Sequence, residues 1–221
     1  MPSGAPLPHA GDHPARHVPR LSSEPWLVPA LADVPAIDPV SAVLSEDPFL
    51  PYSRDECLAR PWAIPGIRGL QHRMGGLEKS DGTGNISYDS ENHARMSELR
   101  AAKVAGILSH VPPIAVDADP EVELLVPGWG SSQGAIRAGV RRAREARRKV
   151  ACAHIHHLNP LPVNVGDVLR SFPRVLVPEV NSGQLARGLR GRFLVDVESF
   201  TKVKGQPLFA AEIKREIEQR A

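Results

Sequence analysis

With 221 residues, 42% hydrophobic and 24% charged, the chain can bury a core, which excludes wholesale disorder. Its formal net charge of +2 is too close to neutral to indicate nucleic acid or a membrane surface as a partner. Proline accounts for 22 residues, and 13 of these fall within the first 65 positions. That density excludes an ordinary packed domain there, because each proline removes a backbone donor and fixes φ.

The opening residues contain no apolar stretch of signal-peptide type, and no run of about 18 apolar residues occurs anywhere, so the expected compartment is the cytoplasm. Cys57 and Cys152 lie far apart without C-x-x-C spacing, and neither a disulfide framework nor a metal site is expected. Residues 1–21 are small and polar, with His9, His13 and His17, and read as a disordered leader. Residues 22–90 read as a proline- and aromatic-rich strap or linker. Its anchors are Trp26, Leu27, Phe49, Leu50, Tyr52, Trp62, Ile64 and Ile67. Such a segment orders only where its anchors bury, since chain entropy otherwise prevails.

A helix is predicted over 91–109, with Ser90 as its cap, Met96, Leu99, Val104 and Ile107 as apolar contacts, and Pro112 and Pro113 as its stop. It leads into an α/β domain that completes the span 91–221. Strands are predicted at 122–127, 150–156, 174–178 and 193–197. Helices are predicted at 132–148, at 166–171 with Asn164 as cap, at 183–189 with Ser182 as cap, and at 208–220 with Phe209, Ile213 and Ile217 on one stripe. Alternating elements with short connections imply an open, mostly parallel sheet with helices on both faces.

Three groups carry candidate chemistry. The turn after the first strand holds Gly128, Gly130, Ser131 and Ser132, a weak anion-site candidate because backbone N–H groups are free at a helix start. Its third glycine comes one place late for a dinucleotide fingerprint, and a tight turn is the better reading. Residues 137–149 carry seven basic side chains and one acid, better read as a solvated face or a surface for an acidic protein than as a nucleic-acid site. The third group is His154, His156, His157 and Asn159, with Glu179, Asn181 and Gln184 after the next strand. Together these form a polar rim for a ligand or a subunit interface. Metal binding is not expected, for lack of a nearby Cys, Asp or Glu. The loop Ser80-Asp81-Gly82-Thr83-Gly84-Asn85 fits neither a thiamine nor a calcium motif and reads as turn-rich.

Longer stretches carry a family likeness. They are Gly76-Leu77-Glu78-Lys79, Gly82-Thr83-Gly84-Asn85-Ile86-Ser87-Tyr88-Asp89 and Asn92-His93, then LLVPGWGSSQGAIRAGVRRAR, HIHHLNPLP, VLVPEVNSGQLARGLRG and FLVDVESFTKVKGQP. With SSEPWLVP, FLPYSRD and RPWAIPG in the strap, they resemble the alpha subunits of 2-oxoacid:ferredoxin oxidoreductases, and among these the 2-oxoglutarate type. The likeness runs from about Ser22 to Glu218 and implies a transketolase C-terminal-like domain, the carboxy-terminal part of such a subunit.

It further implies a complex using thiamine diphosphate, Mg2+, an iron–sulfur cluster and coenzyme A, with electrons passing to ferredoxin. Partners would be a beta subunit and the missing amino-terminal alpha domains, with no nucleic acid and no membrane. The resemblance places the activating glutamate in a domain absent here and the diphosphate and cluster sites in the beta subunit. No catalytic residue is therefore assigned, and the chain by itself is expected to bind no cofactor and to be inactive. The alternatives are a stand-alone small-anion or nucleotide-binding α/β module, or the remnant of a disrupted gene.

Overall fold

The computed structural model describes residues 30–34, 36, 40–42 and 47–220. The predicted leader and the strap anchors Trp26 and Leu27 lie outside the described residues. Two compact units are present, one within Val28–His110 and one within Val111–Ala221.

The first unit has little regular backbone before its helix, as its prolines require. Described here are a 3-10 turn at Leu31–Asp33 and isolated bridges Ser41↔Trp62, Tyr52↔Gly82 and Lys79↔Ile86. The helix α1 spans Ser90–Gly106 and tightens into a 3-10 turn at Ile107–His110. Asp89, and not Ser90, caps it: the Asp89 carboxylate accepts from the Glu91 and Asn92 N–H groups. Of its four expected apolar contacts only Met96 is buried. Polar ties take the place of a large core. Around the Lys79↔Ile86 bridge, Ser80 N–H donates to Asn85 O at 2.7 Å and Ser87 N–H to Glu78 O at 2.9 Å. The Asn92 side chain donates to Lys79 O and accepts from Asp81 N–H, which pins this hairpin to α1.

The second unit is the expected doubly covered sheet. Its strands are β1 (Val116–Asp117), β2 (Leu124–Trp129), β3 (Val150–Ile155), β4 (Arg174–Glu179) and β5 (Val197–Thr201). Their order is β1-β3-β2-β4-β5. The last four run parallel, and only β1, a two-residue edge strand not foreseen in the sequence, is antiparallel to its neighbour β3. Strands buried on both faces need continuous apolar runs, and LLV, VACA and VLV supply them. Four helices complete the unit: α2 (Gln133–Glu145), α3 (Val165–Arg170), α4 (Gln184–Phe193) and α5 (Ala210–Glu218). Leu124, Val126, Val150, Cys152 and Leu176 pack against the stripe Ile136, Val140 and Ala143 of α2 and against Ile213 and Ile217 of α5. On the opposite face, Leu125, Ala151, Ala153, Val175 and Val177 meet Val165 and Leu169 of α3 and Ala186 and Leu189 of α4.

Several local expectations shift. Phe193, expected to open a strand, ends α4, because its ring packs on the apolar stripe with Leu189. Leu194 then takes a left-handed φ of 53° and stops the helix, and β5 starts only at Val197. Asn164 stands at the cap position of α3, but its side chain is drawn away by tertiary bonds to the N–H and C=O of Ile114, both 2.9 Å. Phe209 departs from its stripe: Ile213 and Ile217 are buried, whereas Phe209 is exposed with the Lys202 ammonium 4.1 Å from its ring centroid.

The α2–α5 contact depends on Gly139. A Cβ there would lie 2.6 Å from Ile213 Cβ and 3.0 Å from Ala210 O, and the carbonyl, being backbone, cannot move aside cheaply. Gly139→Val should destabilise the chain by about 1–3 kcal/mol, as overpacking does. Denaturant unfolding of the two proteins measures it.

Candidate functional site at the carboxyl edge of the sheet

Parallel strands deliver their ends to one edge, so the glycine turn, the histidines and the segment after β4 all arrive there. The strand order then separates them. β2 lies between β3 and β4. The histidines therefore fall on one side of the glycine turn and Glu179 on the other, and the expected single rim becomes two places.

The switch point lies between β2 and β4, whose connections run to opposite sides. Their ladder holds only at its beginning, in the pairs Leu124↔Arg174 and Leu125↔Val175. Beyond it each strand carries a proline, Pro127 or Pro178, with no N–H to donate. The crevice at their carboxyl ends, between Gly130, Ser131, Ser132 and Glu179, holds only about 90 Å³. Small-molecule pockets need about 300 Å³ or more.

The polar groups there serve the fold. Ser132 Oγ donates to Trp129 O at 2.7 Å and accepts from Trp129 N–H at 3.2 Å, so the hydroxyl tightens its own turn. Gly128 has no room for a Cβ, since Ile136 of α2 and Ser132 Oγ close over it. Glu179 is 1% exposed. Its two carboxylate oxygens accept from the Leu185 and Ala186 N–H groups at 2.9 and 3.0 Å and neutralise the positive end of α4. Ser182, the expected cap of α4, gives way to this carboxylate and to Asn181. Asn181 Oδ1 accepts from Gly183 and Gln184 N–H, with Gly183 at a left-handed φ of 86°. Gln184 and Asn159 are exposed.

The other place is larger. A cavity of about 490 Å³ is lined by His154, His156, His157, Gln133, Arg137 and Asp117, with Cys152 and Ile114 among its apolar walls. The rings of His154, in β3, and His156, just past its end, meet edge-on at 4.6 Å and 72°, as residues two apart on an extended chain should. His154 Nδ1 is buried without a hydrogen-bond partner. Burial, then the neighbouring His156 and Arg137, push its pKa down to about 4. A neutral imidazole with no carboxylate to orient it is poorly suited to general acid–base work near pH 7. The one acid in the lining, Asp117, is held by Arg144 at 2.9 Å. Burial and the same Asp117 raise the pKa of Cys152, so the thiol is an inert apolar group.

The residues present do not fit an iron–sulfur cluster or a thiamine motif. An iron–sulfur cluster needs several thiolates, and the chain has two cysteines, one exposed and one buried. Asp81, the acid nearest in context to a thiamine motif, is committed to Arg95 at 2.6 Å and Arg54 at 2.5 Å. Among the described residues no three His, Cys, Asp or Glu side chains converge on a metal position, and no helix is long and apolar enough to cross a membrane. Of the basic run, Arg144 is bound to Val150 O, Asp117 and Asp119, and Lys149 to Glu121. Part of that charge is thereby spent within the fold.

Two outcomes follow. Glu179→Ala leaves the buried Ala186 N–H and the part-buried Leu185 N–H without an acceptor and should cost about 1–3 kcal/mol in denaturant unfolding, whereas Glu179→Gln keeps one acceptor and should cost less. His154 takes up a proton at about 4 when folded against 6.5 ordinarily. Between these values the unfolded chain holds more protons, so this residue's contribution is complete above pH 6.5 and is lost as the pH falls towards 4. His154→Asn should therefore gain stability relative to the parent between pH 7 and pH 5. Paired unfolding curves at the two pH values read it.

No protein-family model matches the chain. It is 54% identical over 198 residues to the 2-oxoglutarate oxidoreductase subunit KorA of Mycobacterium tuberculosis, an alignment covering 87% of this chain and 29% of that protein. To subunit alpha of 2-oxoacid:ferredoxin oxidoreductase 1 of Aeropyrum pernix it is 31% identical over 141 residues, 61% of this chain and 21% of the relative. Among solved structures, the 2-oxoglutarate:ferredoxin oxidoreductase of Magnetococcus marinus, with 2-oxoglutarate, coenzyme A and succinyl-CoA bound, matches with a TM-score of 0.75 and 26% identity. That match covers 86% of this chain and 34% of the other. The chain thus spans less than a third of the length of these curated relatives. Sequence and fold agree: the chain belongs to the alpha subunits of the 2-oxoacid:ferredoxin oxidoreductases, as a carboxy-terminal part of one.

Proposed function

We propose that the chain serves as the carboxy-terminal domain of the alpha subunit of a 2-oxoglutarate:ferredoxin oxidoreductase, where it contributes assembly and architecture. Catalysis resides in the rest of the complex. The observation that carries this reading is the 54% identity to KorA, sustained over 198 residues. The site chemistry supports it: the polar groups at the switch point are bonded within the fold, and the histidine cavity holds a neutral imidazole with no acid to orient it. The strap fits the same role. Trp62 and Leu50 remain exposed in the first unit and suit burial against other parts of the complex. Thiamine diphosphate, Mg2+, the iron–sulfur cluster and coenzyme A would then belong to the complete enzyme. A stand-alone nucleotide module is not favoured, because its crevice is about 90 Å³.

The purified chain should release no carbon dioxide from 2-oxoglutarate, with or without thiamine diphosphate and coenzyme A. Turnover by the chain alone would overturn the architectural reading. Co-expressed with the beta subunit and the amino-terminal alpha domains, a tagged chain should retain both through affinity purification and gel filtration. Elution of the chain by itself would count against the assembly role.

A further inference from the structure

Three charged side chains are buried among the described residues: Glu179, Lys202 and Lys79. Two are compensated. Glu179 accepts two helix N–H groups. The Lys202 ammonium, on a residue 6% exposed, donates to Pro207 O and to the Glu212 carboxylate and lies over the Phe209 ring. Lys79 is equally buried, at 6% exposure, and its ammonium has no hydrogen-bond partner. Holding an unpaired ammonium away from water is strongly unfavourable unless something in its surroundings answers the charge.

Lys79 lines a cavity of about 440 Å³ within the first unit, together with Arg54, Arg60, Glu78, Arg100 and Lys103. Two of these cations are already answered. Arg54 pairs with Asp81 at 2.5 Å, and Arg100 pairs with Glu78 at 3.2 Å. Arg100 foremost, aided by His93, holds the Glu78 carboxyl below its ordinary range, so Glu78 is charged and engaged. Arg60 stacks on the Tyr52 ring at 4.2 Å and is 3.5 Å from Pro51 O, with no carboxylate. Three cationic residues, Arg60, Lys79 and Lys103, thus line one space without a carboxylate partner among the described residues, the Lys79 ammonium being buried behind its wall.

We infer that this cavity binds a phosphate group at the exposed Arg60 and Lys103, with the buried, unanswered Lys79 ammonium behind its wall supplying further positive charge. Three uncompensated cations match an anion bearing two or more charges better than a single carboxylate. A phosphate offers oxygens to the Arg60 guanidinium in a fork and to the Lys103 ammonium as a point charge, and its negative charge answers the Lys79 ammonium behind them. The volume exceeds what a free phosphate fills, so a phosphate carried by a larger molecule fits best. This inference uses only the first unit and stands apart from the reading of the chain as an oxidoreductase part.

The test is thermal melting and calorimetric titration of the full chain in metal-free, low-salt buffer with inorganic phosphate, pyrophosphate, ADP and citrate. Pyrophosphate and ADP should raise the melting temperature, and the more effective of the two shows whether the phosphate is free or carried on a nucleoside. Lys79→Met should weaken pyrophosphate binding about tenfold or more. The same variant should melt higher than the parent without ligand, since it removes an unanswered charge; a purely structural lysine predicts the opposite. Should Lys79→Met fail to fold, the surface double variant Arg60→Gln with Lys103→Gln decides, with weakened binding expected and the ligand-free melting temperature unchanged. The inference is overturned if no phosphate ligand shifts the parent at millimolar concentration, if the variants bind as the parent does, or if citrate binds as tightly as pyrophosphate.

Discussion

A parallel sheet covered on both faces sends every connection off from a strand end, and whatever charge lies there must be neutralised inside the fold. In the second unit that requirement falls on Glu179. Its carboxylate closes the first turn of α4, its own carbonyl accepts from Lys202 N–H, and the Lys202 ammonium is in turn held by Glu212 at the start of α5. One chain of bonds joins β4, the helix that follows it, and the α5 helix that covers the sheet. The neighbouring prolines Pro127 and Pro178 end the β2–β4 ladder, and this carboxylate network takes over where the ladder stops.

That arrangement decides what the carboxyl edge can do. In an open α/β sheet the switch point is the expected ligand crevice. Here it is narrow, and its hydrogen-bonding groups are bound to the protein's own backbone. The roomier cavity beside β3 carries a desolvated, neutral imidazole and apolar walls, an environment suited to packing rather than to proton transfer. Both features agree with the proposed architectural role.

The first unit is ordered on a different principle. With few buried apolar side chains and a proline-dense backbone, it relies on short polar bonds that tie a hairpin to α1 through Asn92, Glu78 and Asp81. Lys79 is set into that framework without a partner of its own, in contrast to Lys202.

The apolar runs of β2, β3 and β4 and the stripe of α2 were legible in the amino-acid order, because burial imposes a period on each element. Family kinship was legible in long ordered motifs. The two-residue strand β1 carried no signal, since its place depends on pairing with β3 across some 35 residues of chain. The caps were misjudged for a related reason. Asp89 outcompeted Ser90 locally, whereas the Asn164 and Glu179 side chains answered backbone groups distant in sequence or a turn away. Proline density likewise marked a segment without packed elements but not which bonds would order it. The sequence by itself thus determined the alternation of elements and the two-faced sheet, which rest on local periodicity, and the family, which rests on long ordered motifs. Tertiary structure alone decided that the histidines and Glu179 occupy separate places, and that Glu179 is satisfied while Lys79 is not. Strand order and the pairing of buried charges are properties of the assembled fold, with no local period to reveal them.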